Sequence, residues 1–197
     1  MHRAIIWSLF ALLVTAAAAQ ADEFVITPGG ASKVVFVSKA TVESFQGTTN
    51  QIAGSIRHAP AGVDDSVAVH VEVDLASLDT GIAMRNKHMR VNHLETTKYP
   101  KAVFDGATVL GPASAKLEAG EPVTFEIAGL FSLHGVSHSL RTNVQVQLDT
   151  HGGKRQIHFE TSFPVALSDY AISRPQFLFL KLANEQAVKV TGVAIEE

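Results

Sequence analysis

The stretch "VAVHVEVDL", residues 67–75, alternates without a break. Val67, Val69, Val71, Val73 and Leu75 fall on one side; Ala68, His70, Glu72 and Asp74 fall on the other. Successive side chains of an extended chain point to opposite faces, so this period of two predicts a strand with one buried and one wet face. The same rhythm returns in Leu140, Thr142, Val144, Val146 and Leu148, and again in Ile157, Phe159, Thr161, Phe163 and Val165. Weaker candidates run over Lys33–Lys39, Thr48–His58, Lys101–Leu110, Pro122–Leu133 and Gln186–Glu196. That makes about eight strands, divided by turn signals such as Pro60-Ala61-Gly62, Gly111-Pro112, His134-Gly135 and His151-Gly152-Gly153.

Strands apolar on one face must pack on a second layer or close on themselves. One domain with about eight long strands and little helix predicts a sandwich or an up-and-down barrel. An eight-stranded barrel has room for its own side chains or for one small ligand. The inward set is rich in large rings: Phe36, Phe104, Phe125, Phe131, Phe159 and Phe163. A packed core and a lined cavity both fit that composition.

Before this domain comes a leader. Met1-His2-Arg3 is a short basic start, Ala4–Ala16 an apolar run, and Ala19-Gln20-Ala21 an A-x-A cleavage site. The order is that of a secretory signal peptide (residues 1–21), with the mature domain over 22–197; the apolar run is too short to span a bilayer. The expected compartment is a periplasm. Losing Arg3 leaves 15 Lys and Arg against 19 acids, net −4, so nothing global points to nucleic acid. Cysteine is absent, and an exported chain without it is held together by burial.

Two stretches break the rhythm. "DTGIAMRNKHMRVNHLETTKYP", residues 79–100, gathers Arg85, Lys87, His88, Arg90 and His93. Thr80 is placed to cap a short helix beginning near Gly81, and Pro100 forces Tyr99 out of helical backbone and starts the next strand. The prediction is a helical crossover between strands. "SDYAISRPQFLFLKLANE", residues 168–185, carries Phe177, Leu178, Phe179, Leu180 and Leu182; it is too apolar for an exposed loop and is expected to cover or enter one barrel end.

Catalytic chemistry finds little support. There is no cysteine, no G-x-S-x-G and no S-x-x-K. His88 and His93 are five apart, on different faces of one helix. His134 and His138 flank a turn but lack an obvious third ligand, and a structural zinc site needs four. The cation cluster reads either as a solvated helix face or as an anion or head-group site, arginine being suited to bidentate anion capture.

At this point the residues resemble a known family. "SLDTGIAMRNKHMRVNHLETTKYPKAVF" (Ser77–Phe104) is similar to the signature of the YceI-like family of periplasmic lipid-binding proteins. "GLFSLHGVSHSL" (Gly129–Leu140) and "FPVALSDYAISRP" (Phe163–Pro175) extend the likeness, and Ser32–Ile56 resembles the opening strands more loosely. Asn86 stands where the family commonly has Asp, and Val37-Ser38-Lys39 where many members carry a histidine. The resemblance implies an all-β, extended antiparallel lipocalin-like barrel of eight strands with an apolar tunnel.

The function expected is a binding protein, not an enzyme and without a cofactor. It would hold a polyisoprenoid, an isoprenoid quinone or a fatty-acid-like lipid for transport, storage or stress response. The tail is expected among the six rings named above, with Phe177 and Phe179 closing one end, and the head near Arg85, His88 or Arg174. A metal-binding stress protein using His134 and His138, and a barrel enzyme on a small apolar substrate, are the alternatives. No metal, nucleic-acid or membrane-spanning role is expected; a homodimer is left open.

Overall fold

The computed structural model describes residues 22–39, 44–58, 67–111, 117–177 and 180–197. The strands are β1 (Asp22–Ile26), β2 (Lys33–Lys39), β3 (Ser44–Thr49), β4 (Ile52–His58), β5 (Ala68–Asp74), β6 (Lys101–Gly111), β7 (Val123–Leu133), β8 (Val136–His151), β9 (Lys154–Ala166) and β12 (Glu185–Glu196). Two short pieces, β10 (Gln176–Phe177) and β11 (Leu180–Lys181), form a separate hairpin. Neighbours run β1-β4-β5-β6-β7-β8-β9-β12, all antiparallel, and β12 pairs back to β1. The sheet is therefore an eight-stranded closed barrel, one of the two architectures the period-two runs allow and the one the family resemblance implies.

The weak candidate over 48–58 is two strands, and β1 precedes the first candidate altogether. β12 shows why the barrel still counts as eight. One edge of β12 pairs with β9 over 185–195. The other meets β2 over 187–191 and then β1 at 195–196. So β1 and β2 are one strand position interrupted at 27–32, and β3 and β4 are its broken hairpin partner. The breaks are satisfied locally. Ser32 Oγ accepts from Val193 N–H at 3.0 Å, replacing a lost ladder bond, and Gly29 N–H donates to Asn50 O at 2.9 Å. Gly29 sits at φ 75°, backbone that glycine adopts without a steric penalty.

Two apolar clusters lie inside the barrel. Toward the β1 end lie Phe24, Ile26, Val34, Ile52, Ile157 and Ala194. Beyond them, on the inward face, Arg155 pairs with Asp22 (2.9 Å) and Glu196 (2.6 Å) and lies over the Phe24 ring. The second cluster joins Leu75, Leu78, Leu133, Val165, Tyr170 and Ile172, so it draws on the 75–100 crossover and the 167–184 segment as well as on strands. Both non-strand stretches thus cover one barrel end; Leu178 and Phe179 lie outside the described residues.

Phenylalanine rings lie over glycines of neighbouring strands. Phe36 is opposite Gly47 and Phe159 opposite Gly192, and Phe104 lies against Gly129. A Cβ at Gly192 would fall 2.0 Å from Phe159 Cζ; at Gly47, 2.2 Å from Phe36 Cε1. A ring laid on a strand glycine covers backbone that would otherwise lack a packing partner, and it fixes register. Gly192→Ala should therefore lower stability by roughly 1–3 kcal/mol through overpacking, read as a lower urea midpoint. Adding Phe159→Leu should recover part of that loss. An unchanged midpoint for Gly192→Ala would show that the ring turns aside at no cost.

Candidate functional site

The crossover is built around one buried amide. After β5 the chain makes a short 3₁₀ turn over Leu75–Ser77, crosses to the helix α1 (Ala83–His88), and continues through a π-type turn over Met89–His93. Asn86 is buried beneath it. Its Oδ1 accepts from Thr80 N–H (2.9 Å) and Thr80 Oγ1 (2.6 Å), while its Nδ2 donates to Asp79 Oδ1 (2.7 Å). Asp79 also receives Gly81 N–H at 2.8 Å. That backbone donation first, and the Asn86 amide second, hold the Asp79 carboxyl below its ordinary range. Thr80 does not cap the helix, because its hydroxyl is committed to Asn86 and Arg85; the cap position falls on Ile82, which has no side-chain bond to offer.

Of the expected head-group residues, two are engaged with the chain itself. Arg85 Nε donates to Thr80 Oγ1 (2.9 Å), its Nη2 to Thr80 O (2.7 Å), and its guanidinium lies 4.1 Å over the Phe45 ring. Arg174 donates through Nε and Nη2 to Leu182 O (3.1 and 2.7 Å), drawing together the two sides of its own loop. His88 is exposed on the outer face of α1.

The histidines have a role that spacing did not signal. His138 donates to Asp169 O (2.9 Å), His134 to Tyr170 O (3.0 Å) and His93 to Ser173 O (2.9 Å). Three histidines from two parts of the chain thus hold carbonyls of the covering segment. His134 also reaches Glu95 at 2.8 Å and stacks on Tyr99 at 4.4 Å, tying the crossover to the same clasp. Among the described residues no group of three or more His, Asp or Glu is arranged to hold a metal ion.

The six expected rings all face inward. Phe36, Phe131, Phe159 and Phe163 pack against the two core clusters, Phe104 is opposite Phe131, and Phe125 is opposite Val144. Phe125 is buried; the other five are half-buried. Phe131 touches Phe163 and Tyr170 edge-on at 5.5 and 5.6 Å. The side chain of Phe177, and all of Phe179, lie outside the described residues. Residues not expected also enter. Ser38 follows Val34 and Phe36 on the inward face of β2, is 1% exposed, and its Oγ has no hydrogen-bond partner among the described residues. Arg90 Nε is likewise buried and unpartnered, while its Nη2 donates to Leu78 O at 3.0 Å. The signal for Ser38 was present: a hydroxyl at a period-two core position. An open cleft of about 570 Å³ lies at the strand breaks beside Lys33, Thr48, Asn50 and Asp79.

Comparison with known proteins decides the family. The YceI-like domain model matches residues 24–194. The chain belongs to the YceI-like family. Among YceI-like relatives, a UPF0312 protein of Vibrio cholerae serotype O1 is 29% identical over 161 residues, covering 79% of this chain and 80% of the relative. Protein YceI of Shigella flexneri is 32% identical over 107 residues, 53% of this chain and 51% of the relative. A solved polyisoprenoid binding domain from Saccharophagus degradans, implicated in plant cell wall breakdown, superposes with a TM-score of 0.67 at 22% identity, covering 90% of this chain and all of that one. Burkholderia cenocepacia BcnA gives 0.64 at 20% identity, covering 82% and 95%. These likenesses share the fold of this YceI-like barrel.

The Asn86 geometry separates an amide from a carboxylate at this position. Asn86→Asp would set a carboxylate oxygen against Asp79 in place of a donor. Like charges raise the pKa of the pair, so the folded state is favoured while a proton is shared and loses stability as pH rises through that value. The melting temperature of Asn86→Asp should fall by on the order of 5 °C at pH 7 and approach wild type below about pH 5. An equal loss at both pH values would rule out the charge argument. Arg85→Ala should also lower the melting temperature, by several degrees, and Arg85→Lys should recover only the ring contact. Full recovery by lysine would mean that the Thr80 contacts contribute nothing.

Proposed function

We propose that this YceI-like chain is an exported binding protein that holds one long apolar amphiphile inside the barrel. Candidates are a polyisoprenoid, an isoprenoid quinone or a fatty-acid-like lipid. One observation carries the reading: five inward-facing phenylalanines of a closed barrel keep part of their surface accessible. Side chains in a filled core interdigitate at crystal-like density and lose nearly all of theirs. Inward rings that do not are suited to an apolar tail, whose affinity would come from burial at roughly 25 cal/mol per Å² before the cost of association. The Saccharophagus degradans neighbour is a polyisoprenoid binding domain, which supports the same ligand class.

We assign the tail to Phe36, Phe104, Phe125, Phe131, Phe159 and Phe163. The head is assigned to Ser38 Oγ and Arg90 Nε before Arg85, His88 or Arg174, because a buried polar atom without a partner is costly and a ligand oxygen would satisfy it. Ser38 can donate to a carbonyl or accept from a hydroxyl; Arg90 can only donate. Export rests on the leader of residues 1–21, and the mature amino terminus would be Asp22. The role would be carriage or storage rather than catalysis.

Protein purified without detergent, extracted with organic solvent and analysed by mass spectrometry, should release about one prenyl or acyl lipid per chain. Ser38→Ala should reduce occupancy by polar-headed lipids more than by a pure hydrocarbon. An empty barrel that shows no thermal shift with prenyl quinones or fatty acids would overturn the proposal.

A further inference from the structure

Among the described residues three large apolar side chains are more than half exposed, and all three lie within ten positions of one another in the crossover. Ile82 is 51% exposed, Met84 62% and Val91 62%. Met84, Lys87, His88 and Val91 follow one another at i, i+3, i+4 and i+7, so they share an outward stripe across α1 and the π-type turn. Lys87 and His88 are exposed on it. Between Asp79 and Glu95 the chain carries no acid; Arg85 and Arg90 are held on its inner side, so Lys87 is the cation presented outward, in a protein of net charge −3. The other side of the same segment is committed inward. Asn86 is buried, and Met89 and Leu94 pack on the cluster that closes the barrel end.

We propose that this stripe and the adjoining Ile82 dock the protein on an anionic lipid bilayer, with Ile82, Met84 and Val91 entering the interface and the exposed Lys87, beside His88, facing lipid phosphates. The combination selects this occupant. Protruding apolar side chains around an exposed lysine fit an interface of acyl chains beneath anionic head groups. An acidic protein or nucleic acid would satisfy the charge and leave three apolar side chains in water. The placement also suits the proposed carrier function, on which this inference rests: the segment that would touch the bilayer is the one covering the barrel end.

Flotation with vesicles provides the test. The full mature chain should float with vesicles containing phosphatidylglycerol, weakly with phosphatidylcholine alone, and less at high salt, because surface charge is screened. Met84→Ser with Val91→Ser should reduce the bound fraction about tenfold, and Lys87→Glu about fivefold or more on anionic vesicles only. These side chains are outward, so melting temperatures should stay at the wild-type value, which separates docking from misfolding. Wild-type protein that does not float, or a double variant that floats equally well, would overturn the proposal. So would a concentration-dependent dimer abolished by the same double substitution, since the stripe would then face a second copy. Lipid content measured in parallel keeps the two readings apart. An empty protein that floats sinks only the carrier reading, and a loaded protein that never floats sinks only the docking.

Discussion

The structure depends on β12 having both edges paired. Its inner neighbour is β9 for nearly its whole length, and its other edge must be shared between β2 and β1. An unpaired edge would leave a row of backbone donors and acceptors without partners, and closure removes it. Because the β1/β2 strand position is interrupted, closure needs a substitute for the ladder at the break. The Ser32 hydroxyl supplies it to Val193 N–H. The last strand is thus the place where the two ends of the domain are joined into one ring.

Closing the ring creates a second demand, because a barrel has two ends. At one end charge is drawn inward: Arg155 bridges Asp22 and Glu196 over Phe24, and the doubly held guanidinium keeps the Glu196 carboxyl below its ordinary range. At the other end the cover is made of two chain segments, the crossover and the 167–184 segment, which share one apolar cluster. Their attachment is polar. Asn86 organises the crossover from within, Arg85 pins it over Phe45, and His93, His134 and His138 hold the carbonyls of the second segment. A cover fixed by individual hydrogen bonds is easier to open than a strand fixed by a continuous ladder.

The alternation of Val67–Leu75, Leu140–Leu148 and Ile157–Val165 was enough to give strands and their faces, because side-chain direction in a strand follows residue parity alone; it left sandwich and barrel open, and the choice of a closed barrel came from the family resemblance. Parity also placed the six phenylalanines inward. The crossover was legible as a helix with mixed faces, though its cap was not. Thr80 has the right chemistry for a cap, and only the fold of Asn86 back onto it shows that its hydroxyl is used elsewhere. The histidines were the least legible. Spacing could exclude a shared helix face for His88 and His93, but the carbonyls that His93, His134 and His138 meet lie 31 to 80 residues away in the chain.

What the sequence determined by itself is therefore what depends on neighbours in the chain. Parity gave the strands, the leader pattern gave the expectation of export, and the Ser77–Phe104 motif pointed to the YceI-like family. Tertiary structure decided what depends on distant partners. It broke two strand positions and repaired one break with Ser32, and it turned Arg85 and Arg174 onto carbonyls of the chain itself. It also left Ser38 and Arg90 with polar atoms that nothing among the described residues satisfies. The reason is physical. Which face a side chain takes is a local matter of backbone geometry, whereas the cost of a buried donor or acceptor is set by whatever the rest of the fold brings to it.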